Sequence, residues 1–205
     1  MTAASTVRNH ALRITGGVLA TAALAGCSAG TSGTPYPVET AATAASQSAK
    51  AAQLPRRPAD LPLQGADLCG LFPQVQLDTL KITSTPRQAD SPDGPVCVLD
   101  ADGEEPFHGY QVGSVAADLD QWLTGARHKN SMTTEPKTVG GYPALTSYRA
   151  AGDPADCTTL VGVAQGRTLS VRTFPITRGK LTQPQLCDMA ARAADIALQT
   201  LKARN

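Results

Sequence analysis

The sequence predicts an α+β domain: an antiparallel sheet of about five strands with packed helices, a long C-terminal helix and two disulfides. Three observations carry that expectation. Short β-rich runs are separated by turn residues, the segment after Thr182 repeats apolar positions at helical spacing, and four cysteines are distributed across both.

Asp67 is placed to cap a short helix through Cys69 and Leu71, broken at Pro73, with Val75, Leu77 and Leu80 extending its apolar surface. Thr83 to Pro95 holds three prolines, two aspartates and a glycine and reads as loop. Val96 to Asp100 is a predicted strand, with Phe107 to Val115 as its hairpin partner and Asp102-Gly103 in the connection. Ala116, Leu119, Trp122, Leu123 and Ala126 recur at helical spacing, which predicts a helix from Val115 to Arg127, followed by polar loop to Lys137. Thr138 to Arg149 reads as extended, with a bend or bulge near Gly140, Gly141 and Pro143. Thr158 to Ala164 and Thr168 to Phe174 form a predicted hairpin around Gln165-Gly166.

The last element is the strongest. Thr182 followed by Gln185 matches a capping box. Leu186, Met189, Ala190, Ala193, Ala194, Ala197, Leu198 and Leu201 then make one stripe, ended by Lys202 and Arg204 at the negative pole of the helix dipole. Its alanines permit close approach to a sheet.

The domain is preceded by two segments of different character. Met1 to Arg13 carries Arg8 and Arg13 without an acidic residue, and Ile14 to Ala25 is uncharged, which is the pattern of a signal peptide over residues 1–26. The apolar run is too short and too diluted by Thr15, Gly16, Gly17 and Thr21 for a spanning helix, which needs about 20 mostly apolar residues. Leu24-Ala25-Gly26-Cys27 looks like a bacterial lipobox. A thiol is required there because sulfur takes the diacylglyceryl group as a thioether, and the small residues give a peptidase access to the bond before Cys27. Several acyl chains, palmitate among them, anchor a protein where one holds it only marginally. Residues 27–60 are then a lipidated N-terminus and an Ala/Ser/Thr/Pro-rich tether, too poor in large apolar residues to order itself, and residues 61–205 are the globular domain.

Removing Cys27 from the count leaves Cys69, Cys97, Cys157 and Cys187, with no CxxC spacing to suggest zinc or thioredoxin chemistry. An even count in an exported chain reads as disulfides. Three connectivities are open, and pairing Cys69 with Cys97 and Cys157 with Cys187 is expected because each closes a local loop of about 30 residues, worth roughly 3 to 4 kcal/mol. The whole chain has formal net charge +1, and loss of Arg8 and Arg13 with the signal makes the remainder −1. Such a chain lacks the electrostatic footprint of a nucleic-acid binder.

The lipobox, the low-complexity tail, Cys69-Gly-Leu-Phe72, Pro95-Val-Cys-Val98, Val139-Gly-Gly-Tyr-Pro-Ala144, the strand opening at Cys157 and Gln185-Leu-Cys-Asp-Met-Ala190 together resemble the actinobacterial lipoproteins grouped as domain of unknown function 3558. Val98 departs from the aromatic residue expected there. The resemblance implies an extracytoplasmic lipoprotein with two disulfides, and it brings no activity, cofactor or catalytic residue with it.

No chemical motif survives its context. Gly26-Cys27-Ser28-Ala29-Gly30 spells GxSxG, but that elbow must join a strand to a helix, and here it straddles the cleavage site. No lysine follows a serine at SxxK spacing. Asp100, Asp102, Glu104 and Glu105 gather oxygen ligands, yet Gln111 stands where an EF-hand needs its bidentate glutamate, so a solvated turn is expected and no metal. His128 is expected to end a helix as a favourable cation, and His108, Tyr110 and Trp122 are the only nominees for a ligand-binding group.

The expected protein is therefore a non-enzymatic binding or accessory module without a cofactor, lipid-anchored on the outer face of the cell membrane. Its partner would be an envelope protein or a small apolar ligand. A carrier of a lipid, with a deep apolar cavity between sheet and C-terminal helix, and an envelope enzyme with an unfamiliar site are the alternatives.

Overall fold

The computed structural model describes residues 54–205. The predicted signal peptide, Cys27 and most of the predicted tether lie outside the described residues.

Seven strands form one sheet: β1 (Arg87–Ser91), β2 (Gly94–Ala101), β3 (His108–Val115), β4 (Met132–Val139), β5 (Tyr142–Arg149), β6 (Cys157–Ala164) and β7 (Arg167–Pro175). Their spatial order is β1-β2-β3-β7-β6-β5-β4, and every neighbouring pair is antiparallel. The chain thus lays down one three-strand meander, crosses to the far edge, and returns strand by strand until β7 closes against β3. A 3-10 turn (Cys69–Leu71), α1 (Gln74–Thr79), the single-turn α2 (Asp120–Leu123) and the long α3 (Gln183–Ala203) complete the fold.

The α+β class is as expected, but the sheet has two strands more than the expected five. β1 lies inside the stretch read as loop, most of β4 lies in the stretch read as polar loop to Lys137, and the segment read as extended from Thr138 to Arg149 supplies the end of β4, the turn at Gly140-Gly141 and β5. Both added strands are edges. β1 is mostly exposed, and β4 contains Thr133, Thr134, Glu135, Pro136 and Lys137, so neither shows apolar alternation. Backbone pairing holds such strands, and proline is tolerated there because an edge leaves N–H groups unpaired anyway.

The helix expected over Val115 to Arg127 is reduced to the single turn α2. Val115 continues β3, opposite Thr168. Beyond it, the Thr168 hydroxyl donates to the Ala117 carbonyl at 2.7 Å, and the Gly166 N–H donates to the Asp118 carboxylate at 2.8 Å. These bonds to the β6-β7 turn hold the chain off a helical path. The helical spacing of Leu119 and Leu123 serves instead to seat both on Leu145 and Leu160, with Trp122 and Leu54 packed alongside. Two smaller corrections concern the first helical segment. Leu68, not Asp67, occupies the cap position and no side chain caps it, and Val75 points outward at 66% exposure.

One face of the sheet carries α3, packed chiefly on β6 and β7. The capping box forms as expected: the Gln185 side chain accepts the Thr182 N–H at 2.8 Å. Ala190, Ala193, Ala194 and Ala197 are fully buried against the strands, with Leu186, Leu198 and Leu201 filling the flanks and Ile196 added to the stripe. The same core takes in Leu61, Leu63, Leu71, Leu99, Tyr110, Val112, Val161, Leu169 and Val171. Side chains thus occupy the space in which the alternative reading, a lipid carrier, would need its apolar cavity. The Leu61 N–H donates to the Val163 carbonyl at 2.8 Å, tying the entering chain to β6.

Disulfides join Cys69 to Cys97 and Cys157 to Cys187. The first fastens the 3-10 turn to β2, and the second fastens the first turns of α3 to β6. With separations of 28 and 30 residues, each restricts the unfolded chain by roughly 3 to 4 kcal/mol in the chain-entropy view.

The β4-β5 turn brings Gly140 against α3, where an added Cβ would meet Leu198 Cδ2 at 2.8 Å and Asp195 Oδ1 at 3.0 Å. Its φ is +53°, while Gly166 in the β6-β7 turn has φ +63° and open space around it. Gly166→Ala is therefore expected to cost only left-handed strain, about 1 kcal/mol, and Gly140→Ala distinctly more. Urea midpoints of the two variants measure the difference, and equal losses would mean that the close approach to α3 carries no energy.

Candidate functional site: a polar cleft on the helix-free face

The site follows from strand register. Residues opposite one another in antiparallel strands share a face, and pairing links Arg87, Val98, Gln111, Arg172, Thr158, Ser147 and Thr134 in one row across all seven strands, on the face away from α3. The adjacent row is Ala89, Val96, Gly113, Ser170, Leu160, Leu145 and Pro136. The central members of both rows, on β2, β3, β7 and β6, with the exception of Val98, form the floor of a cleft of about 380 Å³. Gly113 contributes no side chain to that floor, which deepens it.

The segment around α2 supplies the wall. Trp122 reaches the cleft from above its leucine cluster, and Lys129 stands at the rim. The Arg127 guanidinium lies 5.1 Å from the Trp122 ring centroid and pairs with Asp93 at 2.7 Å, so a cation–π contact and an ion pair hold the wall to the β1-β2 turn. At the other side Arg172 is bound to Asp156 by its Nε at 2.8 Å and its Nη2 at 2.6 Å, and its guanidinium is 5.7 Å from the Phe174 ring centroid.

Within this frame several polar groups have no protein partner. The side chains of Gln111, Thr158 and Ser170 are half-buried and make no hydrogen bond among the described residues. Lys129 makes no ion pair there either. Chemically, the cleft offers one amide and two hydroxyls, each able to donate and accept, beside one uncompensated cation and an indole.

The sequence nominees are divided by the sheet. His108 and Tyr110 lie together on the α3 face, with ring centroids 5.5 Å apart in an edge-on arrangement, and the His108 Nδ1 is 2.9 Å from the Pro106 carbonyl. Trp122 is on the opposite face, so the three do not form one site, and only Trp122 borders the cleft. Alternation explains it: positions 108 and 110 share parity with Val112 in the core, whereas Gln111 faces the other way. His128 follows the one-turn helix, with Nδ1 3.1 Å from the Trp122 carbonyl and Nε2 3.2 Å from the Asn130 side-chain oxygen.

The acidic turn is dispersed among separate partners. Asp100 pairs with Arg87 at 3.3 Å, Glu104 with Lys81 at 3.1 Å, and Asp102 accepts a hydrogen bond from Thr83. Among the described residues no group of three His, Cys, Asp or Glu side chains is arranged to hold a metal ion, and no helix is long and apolar enough to cross a membrane.

Gln111, Thr158, Ser170, Arg172 and Lys129 do not stand out in the sequence. Alternation does place Ser170 and Arg172 on one face of β7, opposite Val171 and Thr173. What alternation cannot supply is the neighbouring strand, and so the row.

Fold and site together define a two-layer α+β domain, disulfide-fastened, with one face sealed by a helix and the other bearing a polar cleft. The chain belongs to the family described as "Protein of unknown function (DUF3558)", whose model matches residues 22–200. No curated protein and no solved structure matches the chain.

Tyr110 is a structural residue with a measurable signature. Burial pushes its phenol up to about 12 from the usual 10, partly offset by the nearby Arg192 cation. The unfolded chain thus ionises first as pH rises, and the folded state holds its full advantage below pH 10 and loses it through pH 12, by about 2 to 3 kcal/mol in all. Stability measured from pH 9 to 12 should fall less steeply in Tyr110→Phe, and an unchanged slope would assign the loss to other groups.

Proposed function

We propose that the chain is an extracytoplasmic lipoprotein of the actinobacterial type, anchored through Cys27, whose domain acts as a non-enzymatic binding or accessory module at the outer face of the cell membrane. The observation that carries the binding reading is the cleft, where half-buried Gln111, Thr158 and Ser170 converge without protein partners. These groups are half-buried and open to water, and a few convergent polar groups in a concavity, free of protein partners, are the usual make-up of a ligand site.

The anchor reading draws on Leu24-Ala25-Gly26-Cys27 behind an uncharged run, and on two disulfides, which persist in oxidising compartments and not in the cytosol. A packed α3 interface gives the apolar carrier no support, and the cleft becomes the candidate for ligand or partner contact. Replacing Cys27 with alanine should move the protein from the detergent phase to the aqueous phase of a membrane extract without altering the domain's unfolding midpoint. Retention of Cys27→Ala in the detergent phase would refute lipid attachment at this residue.

A further inference from the structure

We propose that the cleft floored by Gln111, Thr158 and Ser170 and rimmed by Lys129 binds a small hydroxylated ligand bearing one acidic group, the chemistry of an acidic sugar. This inference rests on the reading of the domain as a binding module.

The open groups define the ligand's polarity. Gln111 and Thr158 both pair across the sheet with Arg172, and Ser170 lies two residues from Arg172 on the same face of β7, so the three are neighbours on one floor. An amide and hydroxyls donate and accept alike, which suits hydroxyl groups, themselves donors and acceptors. An apolar occupant would strip water from these side chains and return no hydrogen bonds.

Charge sets the second requirement. Arg172 is neutralised by Asp156, and Asp93 by Arg127. Lys129 remains as the one uncompensated charge among the cleft's lining residues. One exposed ammonium favours one carboxylate, whereas a polyphosphate calls for several cations or a nest of backbone N–H groups.

Shape sets the third. The cleft's volume of about 380 Å³ accommodates a disaccharide and falls at the small end of ligand sites, about 300 to 1,000 Å³. Trp122 gives it apolar surface against which the C–H groups of a sugar ring can pack.

The test titrates the full lipidated chain in detergent with three probes: a disaccharide ending in glucuronic acid, the neutral disaccharide of the same linkage, and acetate. Calorimetry is expected to show the acidic disaccharide binding about twofold to fivefold more tightly than the neutral one at low salt, and acetate not detectably. Lys129→Gln, at an exposed position, should abolish that preference. Gln111→Ala combined with Ser170→Ala should weaken both sugars, with the unfolding midpoint measured alongside to separate lost contacts from lost fold. Absence of binding by either disaccharide at millimolar concentration, binding indifferent to both sets of substitutions, or equal binding of acetate would each overturn the proposal. If the sugars fail while Cys27 still governs membrane attachment, the ligand class is wrong and the anchored module stands. If Cys27→Ala stays in the detergent phase while the sugars still bind, the ligand class stands and the anchor is wrong.

Discussion

The pairing of β3 with β7 is the constraint on which the rest of the structure depends. It joins His108 through Val115 to Pro175 through Thr168, between strands separated by the entire second meander. Without it the chain is two independent meanders, the second carrying α3 on β6 and β7 and the first holding the 3-10 turn through Cys97. With it, Tyr110, Val112, Leu169 and Val171 become one apolar surface, continuous with the β6 and β7 floor on which the alanines of α3 sit. The cost is a long loop closure, borne before any contact in the sheet centre can form.

The disulfides act on either side of that seam. Cys97 is paired in register with Val112 on β3, and Cys157 with Thr173 on β7, so both bridges are rooted in strands adjacent to the seam and on the α3 face. From there they hold elements that the sheet could not retain by backbone bonding: a 3-10 turn of three residues and the start of a helix. A three-residue turn has too few hydrogen bonds to persist alone.

Much of this was legible in the residues. The C-terminal helix was, because its cap and stripe are local and agree with each other, and so were β2, β3, β6 and β7, whose apolar alternation reflects burial of one or both faces. β1 and β4 were not, since edge strands are specified by a partner's backbone and not by their own side chains. Val115 to Arg127 misled because apolar positions at helical spacing need only share a side, and here Leu119 and Leu123 do so on a loop pinned by Asp118 and Ala117. The cleft was least legible. Its floor is made of residues from four strands brought side by side by register, and His108 and Tyr110, nominated from the sequence, lie on the other face by parity.

Polarity along the seven-strand row shows why the centre of that face is distinctive. Toward the β4 edge, Ser147 and Thr134 satisfy each other across strands at 3.2 Å, and at the opposite edge Arg87 meets Asp100. Arg172 has its own carboxylate in Asp156. Satisfaction is therefore available to polar residues on this face, and the fold supplies it both at the flanks and at the guanidinium. The exceptions, Gln111, Thr158 and Ser170, coincide with the one place where Trp122 and Lys129 turn the surface into a concavity. Had these positions served only to keep an open sheet face wet, flat exposure would have sufficed. Their half-burial under a wall held by Arg127 and Asp93 is what the proposed binding reading draws on.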